Sequence, residues 1–222
     1  MLKSVVNGIR YFYSRDNSKI FDELAESDLL PEQIDGYVKK YDDPSVNEFY
    51  VYNISNIVAI ARENDAVLDI GCGSGRYLKG LQEKYPHIQL YGIDISSNTI
   101  NNYTKNAVKD AHLKIGNFAK INPWAGLKFD FIYSITVLEY IPFFKVNNFM
   151  ANISDALKTG GKLYIQFPNG RNCLELLKNW GYTRYPVSYV EKKLKKAGFE
   201  IMEIKIDDEK PHFGASITAV KH

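Results

Sequence analysis

The segment Val67-Leu68-Asp69-Ile70-Gly71-Cys72-Gly73-Ser74-Gly75-Arg76 constrains the fold more than any other stretch of this chain. Apolar, strand-type residues run directly into three glycines, and helix-type sequence follows at once. Such a strand–loop–helix unit sets a helix N-terminus at the carboxyl end of a strand, where a backbone without Cβ atoms can approach a ligand closely. Glycines alone could serve merely to allow a close strand–helix turn. Asp94 adds a second signal: it ends the next apolar run, 19 residues beyond Gly75, where a carboxylate can accept both hydroxyls of a ribose. The loop is not a dinucleotide fingerprint, because its third glycine comes one place early and Arg76 stands where that glycine belongs. It is not a P-loop either, since Gly75-Arg76-Tyr77 replaces Gly-Lys-Ser/Thr. Asp69, two residues before Gly71, places an acid beside the loop and suits a ligand with a positive amino group better than a pyrophosphate.

The remaining sequence alternates between strand and helix patterns. Helices are expected over 46–62, 76–84, 97–110, 146–157 and 187–197, and strands over 66–70, 89–93, 113–115, 129–135, 162–167, 199–206 and 215–221. The run 129–135 is almost entirely apolar and β-rich, as in a strand buried on both faces. Thr159-Gly160-Gly161 reads as the stop of the fourth helix. Only a short joint, 207–214, separates the last two strands, which makes them an antiparallel hairpin. The expected fold class is α/β: a doubly wound, seven-stranded, mostly parallel sheet with a C-terminal antiparallel hairpin. Residues 1–45 read as a short helical cap and 46–222 as the main domain.

Composition narrows the function classes. Of 222 residues, 28 are Lys or Arg and 26 are Asp or Glu, a formal charge of +2 that is too small for a polyanion binder. Two cysteines, Cys72 and Cys173, make no disulfide framework and suit a reducing, cytoplasmic setting. No apolar run approaches the roughly 20 residues of a membrane span, and residues 1–15 lack the apolar core of a signal peptide. No His/Cys/Asp cluster has metal-ligand spacing, so no metal is expected. The surplus is aromatic, with 16 Tyr and 12 Phe.

Taken in order, five motifs resemble the class I S-adenosylmethionine-dependent methyltransferases, particularly those acting on small molecules. They are Val67 to Arg76; Tyr91-Gly92-Ile93-Asp94-Ile95-Ser96; Phe129-Asp130-Phe131-Ile132-Tyr133-Ser134 with Val137-Leu138-Glu139-Tyr140-Ile141-Pro142; Leu157-Lys158-Thr159-Gly160-Gly161-Lys162-Leu163; and Lys195-Lys196-Ala197-Gly198-Phe199. The resemblance implies a Rossmann-like sheet and S-adenosyl-L-methionine as cofactor. It implies that Asp69 and Gly71 hold the amino-acid end and that Gly73 lets the cofactor lie against the loop. It implies likewise that Asp94 takes the ribose, that Ile95 packs on the adenine, and that Ser134 faces the methionine part. Gly116-Asn117-Phe118 stands where the family commonly has an adenine-binding Asp, and the Asn117 amide oxygen can accept the same hydrogen bond. Cys72 reads as a small residue packed in the loop rather than a nucleophile.

Transfer of a methyl from a sulfonium is an in-line displacement, accelerated chiefly by alignment and exclusion of water, effects that reach about 7–11 kcal/mol. Ligands of a doubly wound sheet sit outside the carboxyl ends of its strands. The loops expected there carry Tyr140, Phe143, Phe144, Trp180, Tyr182, Tyr185, His212 and Phe213, while Tyr37 and Tyr41 share a helix face in the cap. These rings suit an apolar acceptor chamber and equally suit packing beneath long loops. His212 is the candidate general base, with Tyr140 and Glu139 as further catalytic candidates. Arg171 and Arg184 are candidates to bind an acceptor carboxylate. The expected partner is therefore a small-molecule acceptor. A nucleic-acid acceptor is disfavoured, because Ser134-Ile135-Thr136 replaces the Asn/Asp-Pro-Pro-aromatic run of base-modifying relatives and the lysines at 192, 193, 195 and 196 read as a solvated helix face. The rival from another class is a non-catalytic protein that keeps the cofactor fold.

Overall fold

The computed structural model describes residues 48–170, 183–207 and 214–222. The described elements run α1 (Glu48–Ile60), β1 (Ala66–Ile70), α2 (Arg76–Lys84), β2 (Gln89–Asp94), α3 (97–107), β3 (His112–Ile115), β4 (Phe129–Ile135), α4 (Val146–Ala156), β5 (Leu157–Phe167), α5 (Val187–Lys196), β6 (Phe199–Asp207) and β7 (Gly214–Lys221). The strands form a single sheet of order β3-β2-β1-β4-β5-β7-β6. β1 to β5 are mutually parallel, whereas β7 lies antiparallel between β5 and β6. The fold class expected from the sequence is thus observed. The cap at 1–45 and the joint between the last two strands lie outside the described residues, apart from the strand ends Asp207 and Gly214.

Helices cover both faces, and the alternation of side chains along each strand decides which core each residue joins. Val67, Phe131 and Tyr164 point to the face covered by α1, α2 and α3, with Ile57, Leu78, Leu81 and Ile100. Leu68, Ile132 and Leu163 point to the opposite face, with Phe149 and Ile153 of α4 and Val190 and Leu194 of α5. Because β1 and β4 are central, β1 is buried throughout and β4 nearly so, which is why both read as apolar runs without alternation. β3 is an edge strand and carries the mostly exposed sequence His-Leu-Lys-Ile. No helix among the described residues is long and apolar enough to cross a membrane.

Two local expectations change. The helix expected over 97–110 is broken into an α-turn (Ser97–Thr99), a π-turn (Ile100–Thr104) and a second α-turn (Lys105–Ala107). The pair Gly160-Gly161 does not cap α4: Leu157 is already extended, and its N–H closes the helix on Ile153 and Ser154. Leu157 instead pairs with Phe129 and Lys162 with Phe131, so 158–161 bulge out of β5 while Lys158 reaches Asp130 at 2.7 Å. Burial of Leu157 against Phe129 drives this, since both are essentially inaccessible to water.

The helix α1 is fastened to the sheet by a buried polar link. Tyr164 Oη lies 2.9 Å from Asn53 Oδ1, and Asn53 Nδ2 donates back to Phe49 O within the helix. Tyr164→Phe would leave Asn53 Oδ1 without a donor in a dry site, a loss of about 1–3 kcal/mol. The expected result is a lower urea midpoint with an unchanged denaturant slope.

Candidate functional site

The strand order reverses between β1 and β4, and at that switch point the carboxyl ends of β1, β2 and β4 diverge and leave a crevice. A cavity of about 450 Å³ lies there, within the range of roughly 300–1,000 Å³ typical of small-molecule sites. It is lined by the glycine loop from Gly71 to Ser74, by Asp94 at the end of β2 with Ile95 and Ser96 beyond it, by Gly116 to Ala119 after β3, and by Ile135 at the end of β4 with Thr136, Val137, Tyr140 and Ile141 beyond it. Phe149 from α4 completes the apolar side and packs edge-on against Phe118, with ring centroids 6.4 Å apart.

Backbone constraints explain the glycines. Gly71 has φ +79°, and a Cβ there would stand 2.2 Å from Val137 Cγ2, because the chain leaving β4 crosses directly over it. Gly73 has φ +50°, and the space a Cβ would occupy is open to at least 4 Å. At Gly73 the loop is therefore a strap of bare backbone with room in front of it. Asp94 fixes this strap to β2: Gly73 N–H donates to its Oδ2 and Ser96 N–H to its Oδ1, each at 2.9 Å. Gly71 N–H and Cys72 N–H meanwhile both reach the Ile93 carbonyl, at 2.7 and 3.1 Å.

Asp69 lies beneath the strap, fully buried, and its Oδ2 has no hydrogen-bond partner. Burial pushes its carboxyl up to about 8; the neighbouring Tyr133 hydroxyl opposes the rise, Asp94 adds to it and Arg76 opposes it. The Tyr133 hydroxyl is equally buried beside it, and burial followed by the charge of Asp69 raises its pKa far above the ordinary value. Cys72 lines the cavity as a thiol, since burial and the two carboxylates Asp69 and Asp94 push it up.

Of the residues singled out from sequence, Gly71, Cys72, Gly73, Asp94, Ile95, Asn117, Phe118 and Tyr140 line the cavity. Asn117 Oδ1 accepts the Ala119 N–H at 3.0 Å and retains a second lone pair. Asp69 and Ser134 stand behind the wall, with Ser134 Oγ donating to Ile70 O at 3.2 Å and tying β4 to β1. Glu139, Phe143 and Arg184 are not among the lining residues. Glu139 is buried with Oε2 unpartnered, and burial pushes its carboxyl up to about 8. Phe143 is about half exposed and Arg184 is half-buried. Tyr37, Tyr41, Arg171, Trp180 and His212 fall outside the described residues. Sequence reasoning passed over Ser74, Arg76, Tyr77, Thr99, Thr136, Val137 and Phe149 as lining residues. Arg76 and Thr136 had local signals: Arg76 follows the last glycine, and Thr136 lies between the two parts of the fourth-strand motif, where it takes φ +54°. Phe149 had none, because only the packing of α4 brings it in.

Gly71→Ala should lower the melting temperature sharply, because an L-residue at this φ carries about 1–3 kcal/mol of strain before the overlap with Val137 is counted. A second test uses pH. Asp69 and Glu139 hold their protons more tightly folded than unfolded, so their contribution to stability is full below about pH 4 and is lost as pH rises through about 8. Asp69→Asn and Glu139→Gln should each flatten the fall in unfolding free energy between those limits, as measured by urea titrations across the range.

Comparison with known proteins agrees with this geometry. A family profile described as a methyltransferase domain matches residues 44–204. Trans-aconitate 2-methyltransferase from Deinococcus radiodurans is 24% identical over 102 residues, which is 46% of this chain and only 37% of that enzyme's length. Magnesium protoporphyrin IX methyltransferase from Synechocystis, solved with bound SAH, superposes with a TM-score of 0.70 at 19% identity, covering 93% of this chain and all of that one. A TehB-like SAM-dependent methyltransferase from Corynebacterium glutamicum gives a TM-score of 0.66 at 21% identity, covering 86% of this chain and 98% of that one. With a profile match over most of its length and the shared sheet, the chain belongs to the methyltransferase-domain family, the S-adenosylmethionine-dependent methyltransferases of class I fold.

Proposed function

We propose that this protein transfers a methyl group from S-adenosylmethionine to a small acceptor of partly apolar or aromatic character. The observation that carries the reading is the make-up of the cavity. It joins the glycine strap and Asp94 to an apolar wall of Val137, Tyr140, Ile141 and Phe149 in one space. The residues present fit the cofactor. Open space in front of Gly73 admits a ligand against the backbone, and the unpartnered Asp69 Oδ2 is an acceptor in want of a donor such as an ammonium group.

When bound, the cofactor supplies a methyl on a positively charged sulfur, open to in-line attack by the acceptor. The chain's own part is to hold and to exclude. Both Asp94 oxygens already take a backbone N–H and keep lone pairs for the ribose hydroxyls. Asp69 takes the amino group, and Ile95, Asn117 and Phe118 take the adenine. Val137, Tyr140, Ile141 and Phe149 keep water from the reacting end, where a dry and aligned geometry supplies most of the acceleration. Beyond Tyr140, the exposed rings of Phe143 and Phe144 (49% and 43% accessible) extend apolar surface along the same loop. The acceptors in the names of two matched proteins, trans-aconitate and magnesium protoporphyrin IX, support the small-molecule side of the reading.

Calorimetric titration with S-adenosylhomocysteine tests the cofactor assignment. Hydrogen bonds to a charged group are worth about 1.5–3 kcal/mol each, so loss of two in Asp94→Ala should weaken binding by about a hundredfold or more. Unchanged affinity in that variant would overturn the assignment. Transfer of a labelled methyl from the cofactor to members of a small-molecule panel tests the acceptor class. Tight cofactor binding without turnover would favour a non-catalytic role, and RNA binding that falls steeply with salt would favour a nucleic-acid acceptor.

A further inference from the structure

The Gly73 residue is held from both sides. Its N–H goes to Asp94, and its carbonyl accepts from Thr104 Oγ1 at 2.6 Å. Thr104 is fully buried on α3 and stands outside the set of residues lining the cavity. Its hydroxyl also lies 3.2 Å from the Thr99 carbonyl, but it has one proton to give, and the shorter contact has the better claim to it. The methyl of the same side chain fills the space beside the loop, since a Cβ at Gly75 would meet Thr104 Cγ2 at 3.0 Å.

The π-turn explains how Thr104 comes to point inward. Ile100, Thr104 and Val108 are all buried, at spacings of four residues. An α-helix repeats every 3.6 residues and drifts away from such a stripe, whereas the wider i→i+5 turn at Ile100–Thr104 takes up the excess. The consequence for the loop follows from peptide planarity. With no cis bonds among the described residues, a Gly73 carbonyl aimed at Thr104 sends the Ser74 N–H to the opposite side of the strap.

We infer that Thr104 is a positioning residue for the cofactor: its buried hydroxyl, aimed by the π-turn of α3, sets the Gly73 peptide and thereby the affinity of a strap it shares no ligand contact with. The inference rests on the reading of the cavity as the S-adenosylmethionine site. It assigns to the hydroxyl a task separate from that of the methyl, and two substitutions divide them. Thr104→Val keeps the shape and loses the hydroxyl, while Thr104→Ser keeps the hydroxyl and loses the methyl.

The test is the dissociation constant for S-adenosylhomocysteine, measured beside the melting temperature for each variant. Both variants should melt lower than the wild type, one for an unmade hydrogen bond and the other for a small void. Only Thr104→Val should bind about tenfold more weakly, with Thr104→Ser within twofold of the wild type. Affinity that tracks the melting temperature in both variants overturns the inference, because it marks a packing role alone. Thr104→Val within twofold of the wild type also overturns it. A wild type that binds no S-adenosylhomocysteine overturns the cofactor reading and takes this inference with it.

Discussion

The two hydrogen bonds that the Asp94 carboxylate accepts from Gly73 and Ser96 are the interaction on which the site depends. β1 and β2 are neighbours in register, Ile70 opposite Ile93, but the backbone pairing ends where the glycine loop begins. Past that point three glycines leave the chain with little preference of its own, and beyond the packing of Cys72 the loop is fixed by groups reaching in from elsewhere. The Asp94 carboxylate from β2 and the Ile93 carbonyl beside it supply that restraint. Charged acceptors make stronger bonds to backbone N–H groups than neutral ones do, so an acid at this position stiffens the loop even before a ligand arrives. Sheet, loop and cavity are in this sense one construction, with the parallel strands placing Asp94 and Asp94 placing the strap.

This arrangement explains what could be read from the chain alone. The glycine loop, Asp94 and the strand-type runs are local in sequence, and each carries its physical reason within a few residues. Hence the seven strands and their sense could be expected, and with them eight of the residues that line the cavity. The bulge at 158–161 was misread as a helix stop because a Gly-Gly pair has the same meaning at both places, freedom of the backbone. The choice between them came from Leu157 burying against Phe129, residues 28 apart in sequence. The π-turn was equally hidden: the pattern at 100, 104 and 108 departs from helical spacing by a fraction of a residue per turn. Thr104 and Phe149 reach the neighbourhood of the strap or the cavity only through tertiary packing, and nothing adjacent to them in sequence announces it.

The aromatic surplus divides along the same line. Tyr133, Tyr164, Tyr185, Phe129, Phe131, Phe149 and Phe167 rank among the largest side chains with essentially no access to water. Most of these rings belong to the sheet and its helices. Among the loop aromatics expected near an acceptor, Tyr185 is fully buried, stacks on Tyr189 at 5.4 Å and bonds through its hydroxyl to the Ile141 carbonyl. It supports the wall from behind. Tyr140, Phe143 and Phe144 remain exposed along the turn after β4. Large flat rings fill a core and line a chamber for the same reason, area removed from water, so abundance could not separate the two uses and position does.

Position also separates the two buried acids. Asp69 and Glu139 are both pushed up to about 8, in each case chiefly by burial. By perturbation alone they would be equal candidates for chemistry. Asp69, however, lies beneath the glycine strap, with Tyr133, Asp94 and Arg76 acting on its charge. Glu139 is opposed only by its own backbone N–H and does not border the cavity. A neutral acid at rest costs the folded state far less than a buried anion, and it becomes an anion when a cation is brought beside it. Asp69 does not line the cavity either, but other charged groups act on it, whereas none among the described residues acts on Glu139, so the shift in β1 is coupled to the charges around the strap and the shift after β4 is a consequence of packing alone.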